Sequence, residues 1–173
     1  MITTERLTIR PVVAEDWPAV QEIWAALAPL PMAQYDKPHD TSDANVQSRV
    51  ARWARFTASG TEHMFFVPCL DGKMIGYFAF NQRERGHEVG YSFHPAYHGK
   101  GYAKEALAAI LAHLRAMGFT RFSAGTALDN TPSMKLLTGL GFRLVGTEKV
   151  SFYKDADGND IVFDGGILEL EMV

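Results

Sequence analysis

The stretch Glu88-Val-Gly-Tyr-Ser-Phe-His-Pro-Ala-Tyr-His-Gly-Lys-Gly-Tyr-Ala-Lys-Glu-Ala-Leu107, running on to Gly118, changes period once, and that change sets the architecture. Val89, Tyr91 and Phe93 alternate with small or polar residues and are β-branched or aromatic, which suits a pleated strand. Pro95 has no N–H for a ladder, so pairing should stop there. From Ala103 the apolar residues Ala106, Leu107, Ile110, Leu111, Leu114 and Met117 recur every three or four positions. This spacing predicts an amphipathic helix of about four turns, ended by Gly118 in the left-handed conformation. Between strand and helix stands His98-Gly-Lys-Gly101. The glycines keep side chains away from the first helical turn, whose unpaired N–H groups and aligned dipoles suit an anion such as a phosphate. Lys100 and Lys104 add mobile positive charge. The same spacing also suits a plain tight turn that needs glycine for its dihedrals. It matches neither a Walker loop, since no Ser or Thr follows Lys100, nor the dinucleotide fingerprint, which needs a third glycine.

Upstream, Leu7, Ile9 and Pro11 read as a short strand, and Asp16 is placed to cap a helix with Val20, Ile23, Trp24 and Leu27 on its apolar face. Pro29 and Pro31 end that helix, and the segment from Met32 to Thr41 has no period and reads as a long loop. Ser42 or Asp43 starts a second helix with Val46, Val50 and Trp53 on one face, ending near Gly60. Met64 to Leu70 and Met74 to Phe80 form a hairpin around Asp71-Gly72, with Pro68 weakening pairing along the first strand's far edge. Downstream, Arg121 to Ala127 reads as a strand locally parallel to the central one. Asp129 or Asn130 caps a further helix with Pro132 in its first turn, Gly141 past its end, and Met134, Leu137 and Leu140 facing inward. Phe142 to Lys154 and Ile161 to Met172, joined through Asp157-Gly158, close the chain as a hairpin. There is no internal repeat.

With 173 residues, 47% hydrophobic and 21% charged, the chain suits one well-buried core, and residues 1–173 read as a single domain. A net charge of −3 with scattered basic residues provides no surface for a nucleic-acid backbone. No apolar run approaches the ~20 residues that span a bilayer, and no signal-like stretch opens the chain, so the expectation is a soluble cytoplasmic protein. The single cysteine, Cys69, sits in an apolar run and reads as a small buried hydrophobe, leaving no cysteine-rich metal site.

Three motifs together, Glu88 to Pro95, His98 to Ala106 and Asn130-Thr-Pro-Ser-Met-Lys-Leu-Leu-Thr-Gly-Leu-Gly-Phe142, resemble the GNAT acyltransferase superfamily and within it the RimJ/RimL branch. The family pattern of Gln or Arg, two residues, Gly, one residue, Gly or Ala falls on His98, Gly101 and Ala103, so the first position departs. The order of strand, two helices, three strands, helix, strand, helix, two strands fits over essentially the full length. The resemblance implies an α/β (α+β) fold: a mixed, mostly antiparallel twisted sheet of six to seven strands, about four helices on both faces, and central strands splayed for acetyl-CoA. It also implies an N-acetyltransferase acting on a primary amine, either a protein N-terminus or a small molecule, with neither metal nor covalent intermediate. By position, Tyr91, Ser92 and Phe93 would hold the pantetheine arm and acyl carbonyl. His98, Gly99, Lys100, Gly101, Tyr102, Ala103 and Lys104 would hold the pyrophosphate, and Asn130 the pantetheine.

Many family members carry a tyrosine seven residues after that Asn to protonate the leaving thiolate, and here Leu137 stands there. In the RimJ/RimL branch a serine three residues after the Asn takes the acid role, which falls on Ser133, with Tyr91 or Tyr97 as substitutes. Glu88, His87 and His94 are the candidate bases, although an amine that loses its proton through water needs none. Asn130 as a helix cap and Ser133 as a first-turn backbone partner are the competing structural readings. The acceptor would be shaped by the loop from Pro29 to Thr41 and the last hairpin, where Asp36, Asp40, Asp155, Asp157, Asp160 and Asp164 would suit a cationic partner. The departure at Leu137 keeps a non-catalytic acyl-CoA-binding module as the alternative. The last strands are placed to pair in a homodimer.

Overall fold

One sheet runs through the whole chain. In the computed structural model, which describes residues 1–173, the strands follow the order β1-β2-β3-β5-β6-β7-β9-β8, with β4 beside β3. The two short ones are β1 (Ile2–Thr3) and β4 (Lys73–Met74). The longer strands are β2 (Thr8–Pro11), β3 (His63–Leu70), β5 (Gly76–Arg83), β6 (Gly86–Phe93), β7 (Arg121–Ala127), β8 (Arg143–Lys154) and β9 (Asp160–Glu171). These seven are the strands expected from the sequence. Every pairing is antiparallel except that of β6 with β7.

Four helices cover the two faces: α1 (Trp17–Leu27), α2 (Asp43–Ser59), α3 (Tyr102–Ala116) and α4 (Thr131–Gly139). Strand alternation sends Ile9, Phe66, Phe78, Phe80, Val89 and Phe93 to one face, packed against Leu107, Ile110 and Leu114 of α3 and Leu137 of α4. The opposite parity sends Phe65, Val67, Cys69 and Tyr77 to the other face, against Val20, Ile23 and Trp24 of α1 and Val46, Val50 and Trp53 of α2. Each fully buried Leu, Ile, Val or Phe contributes roughly 1.5–3 kcal/mol, so these two cores fix which face each helix takes. Cys69 is buried as expected.

Several local details differ from the sequence reading. The Asp16 side chain makes no cap bond to α1; its carboxylate instead accepts the Val13 N–H at 2.8 Å and pairs with Arg10 at 2.7 Å, closing the 3-10 turn Ala14–Asp16. The segment read as a long loop begins with a 3-10 turn over Pro31–Tyr35. Ser42 does not cap α2 through its side chain; its N–H donates to Asp40 Oδ1 at 2.9 Å. The Asp71-Gly72 turn is present, with φ of 50° and 80°. No helix is long and apolar enough to cross a membrane.

Candidate functional site

Two openings in the backbone hydrogen bonding meet beyond the C-terminal end of β6. This strand pairs with β5 along its whole length, from Gly86↔Arg83 to Phe93↔Gly76, yet it pairs with β7 only at His87↔Phe122 and Glu88↔Ser123. Past Glu88 the two strands diverge, as expected for the central pair. The His94 N–H donates to the Ile75 carbonyl, so even-numbered residues here turn their backbone groups toward β5. The odd-numbered Tyr91 and Phe93 therefore turn theirs into the gap. Ser92 points its backbone to β5 opposite Tyr77, on the α1/α2 face.

The second opening follows at once. Gly99 and Gly101 adopt φ of 73° and 82°, the left-handed conformation that glycine takes without strain. The N–H groups of Gly99, Lys100, Gly101, Tyr102, Ala103 and Lys104 find no acceptor in the protein, and the first helical bond is Glu105 N–H to the Gly101 carbonyl at 3.1 Å. A run of unpaired donors at the positive end of a helix dipole suits an anion. Space above it is open, since a Cβ on Gly99 would meet nothing within 4 Å. The loop side chains fold back: His98 Nε2–H donates to the Phe93 carbonyl at 2.8 Å and Lys100 Nζ to the Ala96 carbonyl at 3.1 Å. Backbone rather than side chain therefore faces the open space over the loop, and Lys104 stays exposed beside it.

Arg6 braces this loop from a distant part of the sequence. Its Nε donates to Glu105 Oε2 at 2.7 Å, its Nη1 to the Lys100 carbonyl at 2.9 Å, and its guanidinium lies 4.4 Å from the centre of the Tyr102 ring. Thr4 Oγ1 and the Arg6 N–H both donate to Glu105 Oε1, at 2.6 and 2.8 Å, and these bonds hold the Glu105 carboxyl below its usual range against partial desolvation. No local pattern in the sequence signals this role, because the partners are 94 and 99 residues apart.

Across the gap from β6, α4 brings up its first turn. Asn130 occupies the N-cap position with no side-chain cap bond, which leaves its amide free. Ser133 Oγ and the Tyr91 hydroxyl are hydrogen-bonded to each other. Burial pushes the Tyr91 phenol up, with the Ser133 bond opposing, so it remains a neutral donor. Leu137 is 0% exposed and packs in the core below them. The candidate bases are engaged elsewhere. Glu88 is on the α1/α2 face, three residues from Tyr91, where its carboxylate pairs with Arg83 at 2.9 Å. His87 is buried with Nε2–H donating to the Thr61 carbonyl at 2.8 Å, and His94 Nδ1 accepts the Ala96 N–H at 3.1 Å.

On the α1/α2 face the loop and the last hairpin meet through an edge-on contact of Tyr35 with Phe163 at 5.2 Å. Asp40, Asp155, Asp160 and Asp164 serve local turns or pair with hairpin lysines. Asp36 differs. Partial desolvation pushes its carboxyl up, but the His39 hydrogen bond and the Lys37 N–H outweigh it and hold the group below its usual range. Burial raises the Tyr77 and Tyr153 hydroxyls, and the Asp36 charge raises them further.

A family model described as "Acetyltransferase (GNAT) domain" matches residues 6–143. A curated relative from Bacillus subtilis (strain 168), the uncharacterized N-acetyltransferase YnaD, is 31% identical over 162 residues, covering 84% of each chain. Among solved structures, the Salmonella typhimurium acetyltransferase that modifies the N-terminal serine of 50S ribosomal subunit protein L7/L12 superposes with a TM-score of 0.83 at 19% identity, covering 98% of this chain and 97% of its own. RimL, a ribosomal L7/L12 α-N-protein acetyltransferase solved in complex with coenzyme A, superposes at 0.80 and 18% identity over 98% and 96%. The fold and site thus define an acyl-CoA transferase architecture. This chain belongs to the GNAT acetyltransferase family and is an acetyl-CoA-dependent N-acetyltransferase.

Proposed function

We propose that residues 1–173 form one acetyltransferase domain that moves the acetyl group of acetyl-CoA to a primary amine by direct attack. The observation that carries this reading is the divergence of β6 from β7 beside the unpaired N–H groups of Gly99 to Lys104. In this reading the pyrophosphate lies on the backbone of Gly99 to Lys104 and the pantetheine runs into the gap along the backbone of Tyr91 and Phe93, with Ser92 turned to β5 and Asn130 donating to the pantetheine. The Tyr91 and Phe93 N–H groups aim at the thioester oxygen, where one preorganised donor lowers the barrier by about 3–4 kcal/mol. The Tyr91–Ser133 pair gives the leaving sulfur its proton, in place of the tyrosine that Leu137 replaces. The acceptor enters on the α1/α2 face between the Pro29–Thr41 loop and the last hairpin. Peptide N-termini head the acceptors to be tried, because the ribosomal-protein enzymes above act there. Cytoplasmic location fits this role. Pairing of two copies along the open edge of β8, where Leu144 and Val145 are half exposed, is the dimer this reading favours.

Free-thiol release from acetyl-CoA, measured against a panel of peptides with different first residues, polyamines and amino acids, tests the assignment. Release that depends on one acceptor class supports it. Acetyl-CoA binding with no release for any amine would favour the acyl-CoA-binding module instead.

A further inference from the structure

His39 lies in the segment without sequence period, yet the fold holds it firmly. Its ring stacks on Trp24 with centroids 4.2 Å apart and planes 6° from parallel, and its Nε2 is 3.0 Å from Asp36 Oδ2. The other ring nitrogen, Nδ1, is buried and has no hydrogen-bond partner. An enclosed polar atom without a partner costs about 1–3 kcal/mol, so stability alone does not explain this arrangement. Asp36 accepts the Lys37 N–H on Oδ1 at 2.8 Å and is ionised, so Nε2 carries the proton and Nδ1 is the basic nitrogen.

The location matters as much as the pair. Trp24 Nε1–H donates to the Tyr77 hydroxyl at 2.9 Å, and Tyr77 is the β5 partner of Ser92 in the diverging half of β6. The His39–Trp24 stack therefore lies on the α1/α2 face above β5, beside the diverging half of β6, while Tyr91 and Ser133 meet on the α3/α4 face. Acetyl transfer must take a proton from nitrogen and give one to sulfur. The two hydroxyls cover the sulfur side only.

We propose that His39, oriented by Asp36 and Trp24, accepts the proton of the acceptor amine, directly or across one water. The proposal rests on the acetyl-transfer reading. The neutral amine forms its N–C bond to the thioester carbon, the nitrogen's proton passes to His39 Nδ1, and the C–S bond breaks as the sulfur takes a proton from the Tyr91–Ser133 pair. The imidazolium then loses its proton to solvent and the hydroxyl pair regains one, so the reaction releases the amide and the free thiol. Charged and titratable groups near the stack come from three elements. Asp36 and Lys37 come from its own loop, Arg49 of α2 lies 5.1 Å from the centre of the Trp24 ring, and the Tyr77 hydroxyl of β5 accepts the Trp24 Nε1–H.

The test uses the acceptor on which the wild-type chain releases most thiol. His39→Gln should lower kcat/KM about 100-fold at neutral pH, a typical general-base contribution, with thermal midpoint and acetyl-CoA affinity unchanged. Below neutrality log kcat/KM of the wild type should fall with the slope of two protons, one from the amine and one from His39. His39→Gln should show the slope of one. Asp36→Asn should lie between them, and free imidazole should restore turnover to His39→Ala. A His39→Gln enzyme with wild-type turnover would overturn the proposal. So would lost turnover with an unchanged pH slope and no imidazole rescue, which would leave His39 a packing residue. An active wild type with either result overturns this inference alone, whereas a wild type that binds acetyl-CoA and acetylates no amine overturns the parent reading with it.

Discussion

The Tyr91 hydroxyl and Ser133 Oγ are hydrogen-bonded across the gap between β6 and α4, which joins in one pair the two residues the sequence offers as separate proton donors. As one unit they should respond as one. Tyr91→Phe and Ser133→Ala are each expected to lower kcat about 100-fold with little change in acetyl-CoA affinity, and the double variant should be scarcely slower than either. Single-turnover rates beside equilibrium titrations check this. Additive losses would mean the hydroxyls act separately.

Burial raises the phenols of Tyr91 and Tyr77, with their hydrogen bonds opposing. A raised phenol favours the folded state equally at all pH below the unfolded value of about 10, and the folded state loses ground as pH rises above it. Urea unfolding should therefore give flat stability from these groups up to about pH 10 and a decline beyond. Tyr91→Phe should make that decline shallower.

Leu137 is fully buried among core residues, so Leu137→Tyr must place a hydroxyl and added ring volume in packed space. The expected result is a loss of roughly 1–3 kcal/mol by denaturant titration and no gain in turnover. Faster thiol release from a stable variant would mean this face opens toward the sulfur.

Arg6 bonds the Lys100 carbonyl and Glu105 together and covers Tyr102. Arg6→Ala should weaken acetyl-CoA binding several-fold while leaving KM for the acceptor unchanged. Arg6→Lys should recover little of it, because a single ammonium does not reproduce the fork that reaches both partners. Calorimetric titration with acetyl-CoA reads this directly.

Much of the fold was legible because period and punctuation agree. The alternation of Val89, Tyr91 and Phe93, the helical spacing from Ala106 to Leu114, and the positive φ of Gly99, Gly101 and Gly118 all follow from local chemistry, and so does the inward face of Leu137. What was missed depends on partners distant in sequence or on groups without a period. Arg6 acts on residues 94 and 99 positions away, and His39 is placed by stacking on Trp24. Asp16 and Asn130 have side chains that suit a cap, yet Arg10 and the Val13 N–H claim Asp16, and Asn130 makes no cap bond at all. Residue type names the chemistry available, and tertiary contacts decide which of it is used.

The central claim is that the backbone of Gly99 to Lys104 holds the pyrophosphate of acetyl-CoA. The most direct measurement compares acetyl-CoA affinity for Gly99→Asp and Gly99→Ala. Asp tolerates φ 73° at least as well as Ala, and neither Cβ meets a neighbour within 4 Å, so a greater loss in Gly99→Asp is due to the carboxylate. Gly99→Ala should keep measurable affinity while Gly99→Asp, folded to the same extent, should lose it. Equal affinity in the two variants would contradict the account.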